Sequence, residues 1–449
     1  MKNIVNKKIS ILGAEKSGIA AAKLAKSLGA LPFVSDFGNP EKFRENIEIL
    51  KIEGIPFETG GHSQEVFNCD FIVTSPGVPS SATVIKNAIE AGIKVFSEPE
   101  FASWFCKGEI ISISGTNGKS TVTMLLEHTL NQCGKRTYAG GNIGIAFSGL
   151  IESIREGEFV SLETSSFQLD HIDSFQPRIS MILNITPDHL DRYDNRIENY
   201  IASKSRIFEN QDGNDYYIFN ADDELTPKTT GDRGTNEFGF SLKQPLKNGA
   251  YYQDGAFYFS KAGTKEFICR RSDLRLPGDH NAANALAVMI AAKILQCDNK
   301  DIVKAFLSFN GVEHRLEPVR EINGIRFVND SKATNVDSVW YALNSFNEPI
   351  LLILGGKDKG NDYSRIAGLV KDRVRKIYAI GSSAEKVYGF FKEIVPVEKV
   401  SSMEEAVKKG FTDANSGEIV LLSPACASFD MFSNFEHRGL VFKYIVGTL

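Results

Sequence analysis

The sequence predicts an α/β protein of three domains built on mostly parallel sheets. Two observations carry that prediction. Short β-branched and apolar runs alternate along the whole chain with glycine or polar turns and then helical stretches, which is the texture of βα units. Length carries the rest: 449 residues exceed what one core holds, and about 150 residues per domain gives three.

The first section, residues 1–98, reads as strands at Ile9–Leu12, Pro32–Ser35, Phe71–Thr74 and Lys94–Phe96. A helical pattern from Ser17 to Leu28 lies between the first two and stops at Gly29. The stretch SEPEFASWFCKGE after residue 96 reads as a polar and aromatic connector. A second section, residues 99–311, opens with strand Glu109–Ser114, the turn GTNGKS and an apolar-periodic helix closed by Gly134. Strands follow at Phe159–Leu162, Ile179–Ile185 and Tyr216–Asn220, then a hairpin about Asp254-Gly255 and a helix over His280–Leu295. The third section, residues 312–449, restarts the pattern with strands Arg326–Asn329, Ile350–Leu354, Lys376–Ile380 and Ile419–Leu422 and a helix near Asp337–Leu343.

Composition excludes several classes. The chain is 42% hydrophobic and 24% charged, as ordinary globular proteins are. Its net charge of −5, with acids and bases interspersed, offers no basic face for nucleic acid. Apolar runs such as Pro349 to Leu354 fall far short of the roughly 20 residues a membrane span needs. The basic N-terminus runs directly into a glycine turn and reads as a strand, not a signal peptide. Six scattered cysteines (Cys69, Cys106, Cys133, Cys269, Cys297, Cys426) show neither CxxC nor zinc-like spacing, so reduced thiols and a cytoplasmic location are expected.

The strongest chemical signal is ISISGTNGKSTVTMLL. A glycine turn between strand and helix aims backbone N–H groups and a helix N-terminus at phosphate. Lys119 can reach terminal phosphates and the Ser120 hydroxyl can ligate Mg²⁺. Ile113 replaces the first glycine of the longer phosphate-loop pattern, so this is a shortened form. Glu163 in ETSSFQLD ends a strand, on the ligand side of an open α/β sheet, where a carboxylate can hold Mg²⁺. His189 in NITPDHLDRY follows another strand of the same section, and Lys204 and Arg206 lie on an amphipathic helix beyond it. Asn281 and Asn284 open a helix, where amides read a purine edge or cap the helix start. His314 and Arg315 stand at a section boundary, where an arginine can meet transferring phosphate. NDSKATN, GGKDKGND and SPACASFDMF each follow a strand of the third section, and three polar loops on one sheet edge predict a pocket. Ser428 is expected to open a helix there. The earlier turn, Gly13 to Gly18, carries Glu15 where close approach to a pyrophosphate requires glycine, which disfavours an NAD-dependent oxidoreductase. The loop Ser75 to Pro79 can offer amides to a diphosphate. A phosphate-loop switch protein is the other rival class, and it has no use for the third section's pocket.

GTNGKST, ETSSFQL, NITPDHLDRY with its downstream KSRIFEN, GDHNAANALA, EHR, NDSKATN and LSPACASFDMFSNFEHRG resemble, in order and over nearly the whole chain, the Mur ligases of peptidoglycan synthesis. DSKATN and SPACASFDMF resemble their D-glutamate-adding branch. The resemblance implies a Rossmann-like N-terminal domain for a UDP-linked substrate, a central phosphate-loop ATPase domain and a Rossmann-like C-terminal domain for the amino acid. It implies ATP, two Mg²⁺ ions, UDP-N-acetylmuramoyl-L-alanine and D-glutamate as ligands, an acyl-phosphate intermediate, and a monomer. For ATP it implies Gly115, Thr116, Asn117, Gly118, Lys119, Ser120, Thr121, Asn281, Arg315 and Asp330. For the UDP-linked substrate it implies Asp36, Ser75, Pro76, Gly77, Asn142 and His189. For D-glutamate the implied residues are Lys332, Thr334, Lys359, Ser428 and Phe435. The implied metal ligands are Ser120, Glu163, His189 and Lys204, the last as a carbamate formed with CO₂; Lys119, His189, Lys204 and Arg315 are the implied catalytic residues. Two departures stand out. Phe37-Gly38 follows Asp36 where the best-known members carry Thr-Arg, and Lys357 stands where some carry aspartate.

Overall fold

The computed structural model describes residues 2–227, 234–358 and 360–449, with all their side chains except that of Lys42. Three sheets are present. The first joins β1 (Lys8–Leu12), β2 (Leu31–Asp36), β3 (Phe57–Thr59), β4 (Phe71–Thr74) and β5 (Val95–Ser97), all parallel, in the order β3-β2-β1-β4-β5. The order reverses between β1 and β4, so a crevice opens at their carboxyl ends. Helix Lys16–Ser27 follows β1 with its alanine-rich face buried, and Gly29 ends it at a φ of 80°.

The second sheet contains β6 (Glu109–Ser114), β7 (Thr137–Gly141), β8 (Phe159–Glu163), β9 (Ile179–Ile182), β10 (Tyr216–Asn220), β11 (Asn236–Ser241), β12 (Gly249–Gln253), β13 (Ala256–Lys261) and β14 (Thr264–Arg270). Its order is β14-β13-β12-β11-β10-β9-β6-β8-β7, parallel from β7 through β12 and antiparallel across the last three strands. Asp254 and Gly255 both have positive φ, as the expected two-residue hairpin turn requires. The third sheet holds β15 (Glu317–Ile322), β16 (Ile325–Asn329), β17 (Ile350–Leu354), β18 (Val374–Ile380), β19 (Val397–Val400) and β20 (Ile419–Leu422) in the order β15-β16-β20-β17-β18-β19. Only β15 is antiparallel. The five apolar residues of β17 are wholly buried, as a central parallel strand covered on both faces demands.

By compactness the first two sheets belong to one unit, Met1–Leu274 with Ala283–Phe309, and the third to another, Arg275–Ala282 with Asn310–Leu449.

Several expectations need correction. The stretch after β5 is no connector: Ser97 caps a short helix, Glu98–Ser103, whose residues 98–102 are buried. Around it Phe71, Phe96, Phe101, Trp104 and Phe105 form one mostly edge-to-face cluster, with ring centroids 5.0–6.3 Å apart. β9 ends at Ile182, three residues early, because the backbone beyond it turns to hold the loop after β6. Ser428 opens no helix; it lies in an irregular turn, and the helix of that region is Phe435–Gly447.

Candidate active site

In the first unit β6 leads through residues 115–118 into helix Lys119–Gln132. Gly115 and Gly118 have φ of 141° and 87°. A Cβ on Gly118 would lie 2.6 Å from Asn284 Oδ1, and one on Gly115 would lie 3.1 Å from Leu183 Cβ, so conformation and space both select glycine. The segment after β9 holds this loop from behind. Asn184 Oδ1 accepts from the Asn117 N–H at 2.8 Å, and its amide donates back to Asn117 O at 3.0 Å. Thr116 Oγ1 donates to Thr186 O and accepts from Thr186 N, both at 3.0 Å. Lys119 folds its ammonium onto the carbonyls of Gly115 (2.9 Å) and Thr116 (2.8 Å). Thr121 is buried in the first turn of the helix. A rigid glycine loop, a helix N-terminus and an ammonium group make an anion site.

Glu163, the last residue of β8, pairs in register with Ile113 of β6 and is buried. Its carboxylate accepts from Ser120 Oγ at 2.7 Å and from Asn142 Nδ2 at 3.1 Å. Lys204, on helix Ile197–Ser205, is not on a solvated basic face: it is 1% exposed, donates to Gly115 O at 3.0 Å and sits 4.5 Å from the Tyr200 ring. Burial, then the neighbouring Lys119 charge, holds its pKa well below the ordinary lysine value, against the attraction of Asp188, Glu163 and Asp170. Lys119, Ser120, Asn142, Glu163 and Lys204 therefore converge on the phosphate-type loop. His189 sits beyond β9 at a φ of 52°, edge-on to Phe167 at 5.3 Å and 3.8 Å from Asp188 Oδ2.

Asp36, Ser75, Pro76 and Gly77 gather at the carboxyl edge of the first sheet. Asp36 ends β2 and accepts from the N–H groups of Ala14 and Gly38, each at 2.7 Å, so its carboxylate braces the turn after β1. A Cβ on Gly13 would lie 2.9 Å from Ser75 Cβ. Arg192 donates to Pro76 O (3.1 Å) and Gly77 O (3.4 Å), with its guanidinium 4.1 Å from the Phe167 ring. Arg192, Asn184 and Tyr200 were not singled out from the sequence. Their position inside or just after NITPDHLDRY is the signal that could have found them.

In the second unit the three predicted loops follow β16, β17 and β20, which are adjacent and parallel, so they do share one edge. Buried Arg438 ties two of them together: it donates to Ser331 Oγ (2.9 Å), Ser331 O (2.7 Å) and Cys426 O (3.0 Å). Lys357 N donates to Ala427 O at 2.8 Å and joins the third. Lys332 places its ammonium 5.2 Å from the Phe435 ring, and Ser331 Oγ donates to Phe435 O. Ser428 is buried in the loop after β20, Thr334 is half-buried just before the cap of helix Val336–Asn344, and Lys359 lies outside the described residues. Asp330 is buried, accepts from Ser423 Oγ (2.8 Å) and Leu316 N (3.2 Å), and is pushed by burial up to about 7 against the pull of Ser423 and Arg315. Arg315 Nε is buried with no hydrogen-bond partner among the described residues. Asn281 donates to Pro277 O at 2.7 Å in the first turn of helix Asp279–Ile294.

The chain matches three family models in succession: the MurD N-terminal domain over residues 8–84, the Mur ligase middle domain over 113–292 and the Mur ligase glutamate ligase domain over 314–426. A UDP-N-acetylmuramoylalanine--D-glutamate ligase of Chloroherpeton thalassium is 45% identical, covering 100% of this chain and 99% of the relative. Ligases of the same name from Christiangramia forsetii and Thermoanaerobacter pseudethanolicus are 43% and 41% identical, each over 99% of this chain and 100% and 98% of their own. Among solved structures, the UDP-N-acetylmuramate-alanine ligase MurC of Thermotoga maritima superposes with a TM-score of 0.62 at 20% identity, covering 98% of this chain and 99% of that one. The same organism's MurF ligase in complex with ADP gives 0.60 at 13% identity over 100% of both chains, a likeness of fold alone. With its three α/β sheets, its successive domain matches and its full-length relatives, the chain belongs to the Mur ligase family.

Proposed function

We propose that this protein joins D-glutamate to UDP-N-acetylmuramoylalanine with ATP, in peptidoglycan precursor synthesis. The observation that carries the reading is 45% identity over the whole chain to a ligase named for that reaction. The buried Ser120–Glu163–Lys204 cluster at the glycine loop adds chemical support. An amine and a carboxylate at neutral pH form a salt, so the carboxylate must first be activated. The alanyl carboxylate attacks the γ-phosphorus of ATP, ADP leaves, and an acyl phosphate forms. The D-glutamate amine attacks that carbonyl, phosphate departs, and the new amide nitrogen loses a proton.

Lys119 and the loop amides are assigned to the terminal phosphates, where positive charge offsets the repulsion between a carboxylate and a triphosphate. Arg315 is assigned to the transferring phosphoryl group, and Asp330 and Asn281 to the nucleoside. Asp36, the 75–77 loop, Asn142 and His189 are assigned to the UDP-linked substrate. Lys332, Thr334, Ser428 and Phe435, with Lys359, are assigned to D-glutamate, whose two carboxylates need cations and donors. Hard oxygens at Ser120 and Glu163 fit one Mg²⁺, and His189 with a modified Lys204 fits a second; bound Mg²⁺ supplies charge neutralisation at the phosphates. The modification is a carbamate: the neutral Lys204 amine bonds to the carbon of CO₂ and releases a proton. The functional divisions proposed are 1–98, 99–311 and 312–449. The described residues contain no helix long and apolar enough to cross a membrane, and we place a monomer in the cytoplasm.

The test is phosphate release from ATP, expected only when the UDP-muramoyl substrate and D-glutamate are both present, with the amide product identified by mass. Release without D-glutamate, or with another amino acid in its place, defeats the reading. For Lys204, ¹³C-labelled bicarbonate should give a carbamate resonance that disappears in Lys204→Ala, and short carboxylic acids should restore part of that variant's activity.

A further inference from the structure

Two cysteines far apart in the sequence meet at helix ends in the first unit. Helix Lys119–Gln132 stops at Cys133, whose N–H donates to Thr129 O at 3.0 Å. Gly134 follows at a φ of 72°, and Lys135 N reaches back to Leu130 O at 2.8 Å, which keeps Lys135 beside the helix end. Helix Asp279–Ile294 ends in a similar reversal: Gln296 takes a φ of 61° and Cys297 N donates to Ala292 O at 2.9 Å. Helix Asn299–Ser308 then runs back along helix Lys119–Gln132. Its end meets His128, with Ser308 Oγ 2.8 Å from Nε2 and the Phe309 ring 5.6 Å from the imidazole, while Asp298 and Asp301 at its start act on Cys133. The two helices are therefore antiparallel, which brings Cys297 to Cys133. The two thiols are free and hydrogen-bonded to each other.

We infer that Cys133 and Cys297 are a redox-active pair, Cys133 the thiol that reacts with a small-molecule disulfide and Cys297 the one that resolves the adduct into an internal bond. Exposure divides the roles. Cys133 is half-buried between exposed Gln132 and Gly134, and a Cβ on Gly134 would meet nothing within 4 Å, so its surroundings are open; Cys297 is buried. Charge divides them the same way. The hydrogen bond from Cys297 is the largest influence on Cys133 and lowers its pKa, with help from the Lys135 ammonium and against burial, Asp301 and Asp298. The same bond, and then burial, raises Cys297, which keeps its hydrogen. Burial raises the other four: Cys106 up to about 11, Cys269 up to about 12, and Cys69 and Cys426 in the same direction. In the first step the Cys133 thiolate bonds to one sulfur of the small disulfide, and the other half leaves as a thiolate that takes up a proton. Cys297 then gives up its proton, bonds to the Cys133 sulfur and expels the second half. Two protein thiols are oxidised and the small disulfide is reduced to two thiols. The new bond ties the far end of the helix that opens with Lys119 and Ser120 to the start of helix Asn299–Ser308.

The experiment treats the full chain with oxidised glutathione, alkylates the remaining thiols and maps the peptides by mass. The wild type should yield Cys133 and Cys297 peptides joined to each other, short of two hydrogens and separated again by dithiothreitol. Cys297→Ser should instead accumulate glutathione on Cys133, and Cys133→Ser should carry none on Cys297. In the reduced wild type, iodoacetamide should label Cys133 at least about tenfold faster than the half-buried Cys69 and Cys106. Melting temperatures of the reduced variants report folding separately. A wild type whose Cys133 and Cys297 both stay open to alkylation after the treatment overturns the inference. So does glutathione settling on Cys69 or Cys106 ahead of Cys133 in Cys297→Ser, or labelling of Cys133 no faster than theirs.

Discussion

Lys119 and Lys204 put two ammonium groups on one carbonyl oxygen, that of Gly115, and their mutual repulsion is part of what disfavours charge on the buried one. A phosphate-bearing ligand would draw Lys119 away from the loop carbonyls toward its own oxygens. Lys119→Ala is accordingly expected to lose at least about 100-fold in kcat, the cost of one transition-state donor, with an unchanged melting temperature. A variant turning over at near the wild-type rate would refute the assignment of the loop. In the second unit, Lys332→Ala or Ser428→Ala should raise KM for D-glutamate about 10- to 100-fold and leave KM for ATP within a factor of two or so. Equal changes in both constants would remove these residues from the acceptor pocket. The residues assigned to the phosphate site were the legible ones, since Lys119 and Ser120 open a helix straight after a glycine turn and Glu163 ends a strand. Asn184 and Arg192 were not legible, because an amide templating a loop and a guanidinium bridging two carbonyls leave no periodicity and no charge pattern behind. Ser428 was misread for a related reason: a serine after a strand signals a cap only if a helix follows, and here the chain makes an irregular turn first.

At the scale of elements, the short helix Glu98–Ser103 carries two buried carboxylates with opposite fates. Burial raises Glu100 too, but it accepts from Ser174 N and Oγ, Asp173 N, Phe175 N and the Trp104 indole, which together leave its pKa lowered. Glu98 accepts from Ser148 N at 2.6 Å while its other oxygen has no hydrogen-bond partner among the described residues, and burial pushes it up to about 7. The folded state then holds a proton between pH 4.5 and about 7 that the unfolded state has released, so stability falls as pH rises through that window. The difference corresponds to about 3 kcal/mol. Glu98→Gln, isosteric and unable to ionise, should match the wild type near the bottom of the window and exceed it by about that amount above the top, in urea unfolding. Equal pH dependence of the two proteins would show that Glu98 ionises normally. The periodic signal found most of the strands, yet β3, β7, β11, β14, β15 and β19 escaped it. β3 has three residues, β15 carries three charges, and β7 ends in two glycines, so none shows enough contiguous apolar sequence.

For the whole molecule, two compact units of unequal size make a single cooperative transition the wrong expectation. Calorimetry should resolve at least two transitions. UDP at about a hundred times its Kd should raise only the one belonging to the unit with the first sheet, by about 2.7 kcal/mol. A single transition, or a UDP shift of both, would contradict that division. The three-section pattern was visible in the sequence because each βα run restarts after a turn. The division into two compact units was not, since it depends on packing between elements far apart in the chain.

The aromatic cluster around helix Glu98–Ser103 contains one of the two tryptophans of the chain, Trp104, with its indole N–H on Glu100 at 2.6 Å. The other, Trp340, stands 41% exposed on helix Val336–Asn344 of the second unit. Each unit therefore contains a single tryptophan, in a surrounding unlike the other's. In a Trp340→Phe chain the tryptophan emission would come from the first unit alone, so that melting, denaturant or substrate could be followed there optically, without a label and without cutting the polypeptide.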